Sequence, residues 1–146
     1  GVQTCALPIL KPRGPVVCMA RTHDEQVHQL ISVLASDGLA WWPDRDALRP
    51  LWQALPASVQ ARIQFVDDCT LSQAELGVMM VHGDSAEQSR WGEWLAHLPG
   101  PVVPHLGLPS GWMLPGSWPL VALLREQTVS VNTTSSGGNA SLLTLD

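Results

Sequence analysis

The chain has 146 residues, the size of one domain or of a piece of a larger protein, and 45% of them are hydrophobic, enough to bury a core. Charged residues make up 14%, against roughly 25% in typical soluble proteins, which disfavours intrinsic disorder and suggests a partly covered surface. Thirteen acidic residues against eight basic ones give a net charge of -5 without a basic stripe, and no apolar run reaches ~20 residues, so neither nucleic-acid binding nor a membrane span is expected.

Residues 1–10 are set apart. The opening GVQTCALPI resembles a translated sequencing-adapter read-through, and it lacks the basic n-region and the apolar length of a signal peptide. It is treated as a non-native leader. Residues 15–20 (PVVCMA) suit a short buried strand. Thr22 and Glu25 then stand in capping-box spacing, so a helix should start near Asp24. Val27, Leu30, Ile31 and Leu34 give it one apolar face, and Gly38 is the expected stop. Residues 39–42 read as a second strand, closed by Pro43.

Leu48, Leu51, Trp52 and Leu55 mark a second helix, with a late start or kink at Pro50. Residues 63–66 and 78–81 are the third and fourth strands, the last turning through His82-Gly83-Asp84-Ser85 into a helix. On that helix Trp91, Trp94, Leu95 and Leu98 repeat the apolar spacing up to Pro99-Gly100. Strands alternating with amphipathic helices predict an α/β fold with a small Rossmann-like parallel sheet and flanking helices. Residues 99–119 then hold six prolines and four glycines, too many for regular structure. Beyond this loop, residues 120–124 and 129–132 are expected to pair as a β-flap or hairpin, followed by an extended tail. The organisation expected is a leader over 1–10, a Rossmann-like domain over 11–104, a Pro/Gly loop and flap over 105–132, and a tail over 133–146.

The chemistry-bearing motifs are few. A dinucleotide site needs glycines after the first strand, and Ala20-Arg21-Thr22-His23-Asp24 has none, while Asp24 would repel phosphates. Gly83-Asp84-Ser85 is a G-x-S between strand and helix, but Glu87 takes the place of the last glycine of a nucleophile elbow. Helix capping by Asp84 and Ser85 is the favoured reading there. The histidines at 23, 28, 82, 97 and 105 form no metal-ligand spacing and read as exposed or loop residues. Cys5, Cys18 and Cys69 form no C-x-x-C, which suits a reducing, cytoplasmic setting. Of seven tryptophans, Trp52, Trp91 and Trp94 sit on core stripes, whereas Trp112 and Trp118 in the loop are expected to fill a pocket on a partner.

The C-terminal stretch reads SVNT-x-x-x-GGNASL-x-T, from Ser130 through Asn132, Thr133, Gly137, Gly138, Asn139, Ala140, Ser141, Leu142 and Leu143 to Thr144. This resembles the C-terminal motif of the proline utilization A family, bifunctional proline dehydrogenase/L-glutamate-γ-semialdehyde dehydrogenases. VVCMARTHDEQVHQLISVLA, the WPD at Trp42 to Asp44, ALPASVQARIQ and VHGDS resemble the aldehyde-dehydrogenase-superfamily-like domain that precedes that motif in longer members. Thr134, Ser135 and Ser136 depart from a usually alanine-rich stretch. The resemblance implies a non-catalytic domain with no catalytic, cofactor or metal residues of its own. FAD and NAD would belong to the parent. Its partners would be the proline dehydrogenase and aldehyde dehydrogenase modules of the same polypeptide, with a homo-oligomer left open. The motif from Asn132 to Leu143 would act as a lid on the tunnel that channels the intermediate. The parent would be cytoplasmic, with peripheral attachment at the inner membrane left open. The alternative is a small autonomous α/β hydrolase, with Ser85 as nucleophile and His105, the only downstream histidine expected after a strand, as its base.

Overall fold

The computed structural model describes residues 5–73, 75–112 and 120–131. In chain order the elements are β1 (Cys5–Pro12), β2 (Pro15–Met19), α1 (His23–Ala35) and β3 (Leu39–Pro43). A 3-10 turn at Asp46–Leu48 leads into α2 (Arg49–Gln53), then α3 (Ala57–Gln60), β4 (Ile63–Val66) and α4 (Asp68–Gln73). They are followed by β5 (Val78–His82), α5 (Ser85–Ala96), β6 (His105–Leu108), α6 (Leu120–Leu123) and β7 (Leu124–Val131). Two compact units are distinguished: Lys11–Arg125, and, among the described residues of the other, 5–10 with 126–131.

The larger unit is an α/β fold around a five-stranded sheet of order β4-β3-β2-β5-β6, parallel at every pairing. Val16 lies opposite Val78 and Ala40 opposite Ile63, which sets the register. Side chains alternate across the strands, so each strand feeds two apolar layers. Val16, Cys18, Ala40, Trp42, Val78 and Met80 join Leu30 and Val33 of α1 and Leu123 of α6 on one face. Val17, Met19, Trp41, Met79 and Val81 meet Leu71 of α4 and Leu95 of α5 on the other. β5 is buried along its whole length, as a central parallel strand covered on both faces must be.

Local signals explain most boundaries. The Thr22–Glu25 capping box starts α1, and Asp84 caps α5 by accepting from the Glu87 N–H at 2.9 Å. Pro50 occupies the first turn of α2, where its missing N–H has no helical partner to lose. The stop of α1 differs from expectation. Asp37, not Gly38, takes the left-handed conformation (φ 56°), and Asp37 N–H to Leu34 O and Gly38 N–H to Val33 O close a Schellman turn. Gly38 serves close packing instead, since a Cβ there would stand 3.1 Å from Val33 Cγ1.

Three further elements depart from the expectation. Residues 105–108, placed by composition in an irregular loop, form the edge strand β6, because no proline falls inside that four-residue window and an edge needs only one partner. Residues 120–123 are the helical turn α6, not a strand; so short an apolar run carries no period, and burial of Leu123 decides it. The two-stranded flap is present, but β7 pairs with β1 (Cys5–Pro12), so the stretch over 1–10 set apart as leader supplies most of its partner strand.

Candidate functional site

Strand order reverses between β2 and β5, so the connections leaving their C-terminal ends define the crevice where open α/β sheets bind ligands. α1 and α5 both begin there, each presenting the free N–H groups of a helix start. In a dinucleotide-binding fold a pyrophosphate would take those donors.

Here a carboxylate of the chain takes two N–H groups of the turn that leads into α1. Glu25 is 1% exposed, and its Oε2 accepts from the N–H groups of Arg21 (2.9 Å) and Thr22 (3.2 Å). Its Oε1 accepts from the Gly111 N–H at 2.7 Å and the Ser110 hydroxyl at 3.3 Å. Burial opposes the charge, but the N–H groups of Gly111, Arg21 and Thr22 outweigh it and hold the carboxyl below its ordinary pKa. Phosphate repulsion was assigned to Asp24 from the sequence. Asp24 is exposed, and Glu25 is the residue that fills the space.

The opposite wall of the crevice is also self-paired. Arg21 crosses from the β2–α1 turn to Asp84 at 3.3 Å and to Glu87 on α5, and Arg90 lies 3.8 Å from Glu87. The Glu87 N–H, followed by Arg21, lowers the Asp84 pKa. Ser85 is an exposed first-turn residue behind its Asp84 cap. A Cβ on Gly83 would stand 2.6 Å from Glu87 Oε2, so Glu87 occupies the room that the last glycine of G-x-S-x-G leaves open. His105 is level with Met79, and Leu108 with His82. Three residues of strand, about 10 Å, therefore separate His105 from the edge that carries Ser85. The hydrolase pairing is not assembled.

His28 and His82, expected to be exposed or in loops, are buried at 7% and 1% exposure. His82 is the last residue of β5 and points into the protein. Its Nδ1 lies 2.8 Å from Gln29 Nε2, and Gln29 Nε2 also reaches Met19 O at 3.1 Å. An amide NH₂ donates, so His82 Nδ1 accepts, and His82 Nε2–H donates to Trp112 O at 3.1 Å. The His28 ring meets those of His82 (5.8 Å) and Trp112 (5.6 Å) edge-on, and burial followed by His82 lowers its pKa. Trp112, expected to fill a partner's pocket, packs against this chain's own core and keeps only an intermediate exposure. Trp118 and the lid residues Asn132, Thr133, Gly137, Gly138, Asn139, Ala140, Ser141, Leu142 and Leu143 lie outside the described residues.

Two features escaped the sequence reading. Asp44, just after β3, stands where dinucleotide folds carry their ribose-binding acid, but Arg49 holds its Oδ1 at 2.5 Å. Its place about 20 residues after the β2–α1 turn, at the end of the next strand, is the sequence signal for it. The pair Gln29–His82 lies 53 residues apart and has no sequence signal. Burial pushes the Cys18 thiol far above its ordinary pKa, which leaves it unreactive. Among the described residues no group of three or more His, Cys, Asp or Glu could hold a metal ion, and no helix is long and apolar enough to cross a membrane.

No family model matches the chain. It is 37% identical over 136 residues to the bifunctional protein PutA of Salmonella typhimurium, covering 93% of this chain and 10% of that protein. The bifunctional protein PutA of Escherichia coli is 35% identical over 136 residues with the same coverage, and that of Rhizobium meliloti is 28% identical over 138 residues, 11% of its length. The chain spans about a tenth of the length of the curated relatives it matches, and it is homologous to that segment of them.

Proposed function

We propose that this PutA-related chain is a non-catalytic structural domain of a proline-catabolic flavoenzyme, packing on the aldehyde dehydrogenase module and helping to close the tunnel between two active sites. The observation that carries the non-catalytic reading is Glu25, whose carboxylate fills the β2–α1 turn and holds the N–H groups of Arg21 and Thr22 where a dinucleotide's pyrophosphate would sit. Arg21 is shared between Asp84 and Glu87 across the same crevice, a trio of net charge -1 that would repel an approaching phosphate. The parent would oxidise proline with FAD and the resulting semialdehyde with NAD, using residues outside this segment. Its other modules would be the partners of the lightly charged surface.

The tail from Thr133 to Leu143 is the proposed lid. Gly137 and Gly138 permit φ > 0 and a sharp reversal, after which Leu142 and Leu143 could dock in an apolar groove. Burying a leucine contributes roughly 1.5–3 kcal/mol, enough for two or three to order a short tail. The test is removal of residues 133–146 from a full-length protein that carries this segment. Proline dehydrogenation should persist, while NADH should appear from proline only after a lag. Unchanged coupled flux without a lag would reject the lid.

A further inference from the structure

The connection from α5 to β6 walls a cavity of about 320 Å³ at the end of β6 away from the crevice, the size of a small ligand site. Gly92 and Leu95 of α5, Leu98 and Val103 of the connection, and His105 at the start of β6 line it, and His105 is the one polar side chain of its lining. His105 Nε2 is shut off from solvent and has no hydrogen-bond partner among the described residues. Burial holds the pKa of the ring below its ordinary value, so near neutral pH the ring is uncharged and carries one N–H. Nδ1 is the nitrogen turned toward Gly92, where a Cβ would stand 3.5 Å away in ordinary contact. A methyl group therefore fits at position 92, and alanine suits a helix interior better than glycine. What the glycine leaves is room in the cavity beside Nδ1.

We propose that this cavity binds a small uncharged molecule with an aliphatic body and one acceptor oxygen, which takes the Nδ1–H of His105. The tautomer follows from burial. A proton on Nε2 would be a shielded donor without an acceptor, the costlier of the two orphans, so Nδ1 carries it. An occupant that brings no acceptor would leave that N–H unpaired. Charge is disfavoured in both signs. Leu95 and Ala96 stand in the last turn of α5, whose carbonyl end repels an anion, and no lining residue carries a carboxylate to pair a cation. Apart from His105 the lining offers only apolar side chains and glycine, which sets the aliphatic body. Neither Glu25 nor the Arg21, Asp84 and Glu87 trio lines the cavity, so the proposal is independent of the non-catalytic reading of the crevice.

Cyclohexanone, uncharged and with an acceptor but no donor, is the probe, and benzene, of similar size without an acceptor, is its control. Titrated into the full chain and followed by two-dimensional NMR, cyclohexanone should move the amides of Gly92, Leu98 and Val103 along one saturable curve in the millimolar range. The ring nitrogens of His105 should report the proton on Nδ1, and cyclohexanone should shift that nitrogen. Gly92→Ala should keep or raise the melting temperature while weakening cyclohexanone about tenfold. His105→Phe keeps a ring but no N–H, so it should weaken cyclohexanone about fivefold and leave benzene no weaker. The proposal is overturned by shifts that do not saturate at these amides, by a proton on Nε2, or by undiminished binding to a folded Gly92→Ala chain. Equal changes for the two probes in His105→Phe overturn it as well. Should His105→Phe not fold, the unmodified chain decides: benzene moving the His105 Nδ1 resonance as far as cyclohexanone does removes the hydrogen bond.

Discussion

Glu25 Oε1 accepts the Gly111 N–H at 2.7 Å across 86 residues of chain, while Oε2 of the same carboxylate caps the start of its own helix. One side chain thereby joins a local signal, the capping box, to a long-range one, the seating of the turn after β6. The two functions are separable by substitution.

Thr22→Ala removes only the cap hydroxyl and should lower stability by about 1 kcal/mol, with Thr22→Ser close to neutral. Glu25→Ala removes the cap reciprocal and leaves the Gly111 and Ser110 donors without their acceptor, so it should cost more, about 2–4 kcal/mol. Urea unfolding compares them. Equal losses would mean that the contact to Gly111 contributes nothing.

Gly77 and Gly83 bracket β5 and should respond differently to alanine. A Cβ on Gly77 would lie 2.7 Å from the Gly14 backbone, where β2 and β5 begin side by side. Backbone cannot step aside, so Gly77→Ala should cost several kcal/mol, about 2–4. At Gly83 the obstacle is the Glu87 carboxylate at 2.6 Å, the end of a flexible side chain. Gly83→Ala should be milder, because the Glu87 side chain can move aside at the expense of its pair with Arg21. A larger loss at Gly83 than at Gly77 would contradict this geometry.

Met79 and Met80 are adjacent and both fully buried, yet they serve opposite layers of the sheet. Each methionine→alanine change should cost about 2–5 kcal/mol through lost burial and an unfilled cavity. The double variant should lose about the sum if the two layers respond independently, since the side chains enter opposite faces of the sheet. Strong non-additivity in denaturant midpoints at unchanged slope would show that the layers are mechanically coupled.

Acid should destabilise the fold in two stages. Burial lowers the pKa of His28 and of His105 below the ordinary 6.5, so the unfolded chain binds protons that the folded chain refuses. Stability must then fall as pH drops below about 6.5. The second stage is carboxylate protonation. Glu25, Asp67 and Asp84 are held below ordinary carboxyl values, so the stability they contribute above the unfolded values is lost as pH falls through the folded ones. Melting temperatures across about pH 8 to 3 check this, and His105→Gln should flatten the first stage. Rising stability between pH 6.5 and 5 would refute the assignment.

Sequence alone settled what is decided within a dozen residues. The apolar spacing of Leu30 and Leu34, the Thr22–Glu25 and Asp84 caps, Pro50 in a first turn, and the buried runs at 15–20 and 78–81 each report a local backbone preference, and each element formed where they stood. The alternation of strand and helix sufficed for a parallel sheet, because no short connection can join parallel neighbours. Tertiary structure decided which strands touch and what their ends enclose. β6 exists because β5 offers an edge, and β1 with β7 because two distant segments meet. Trp112 turned inward because His28 and the core beneath it were there to receive the ring. Glu25 became more than a cap because a turn 85 and 86 residues downstream arrives with two donors. Such pairings depend on where the backbone closes in space, and a linear pattern of apolar and polar residues carries no record of it.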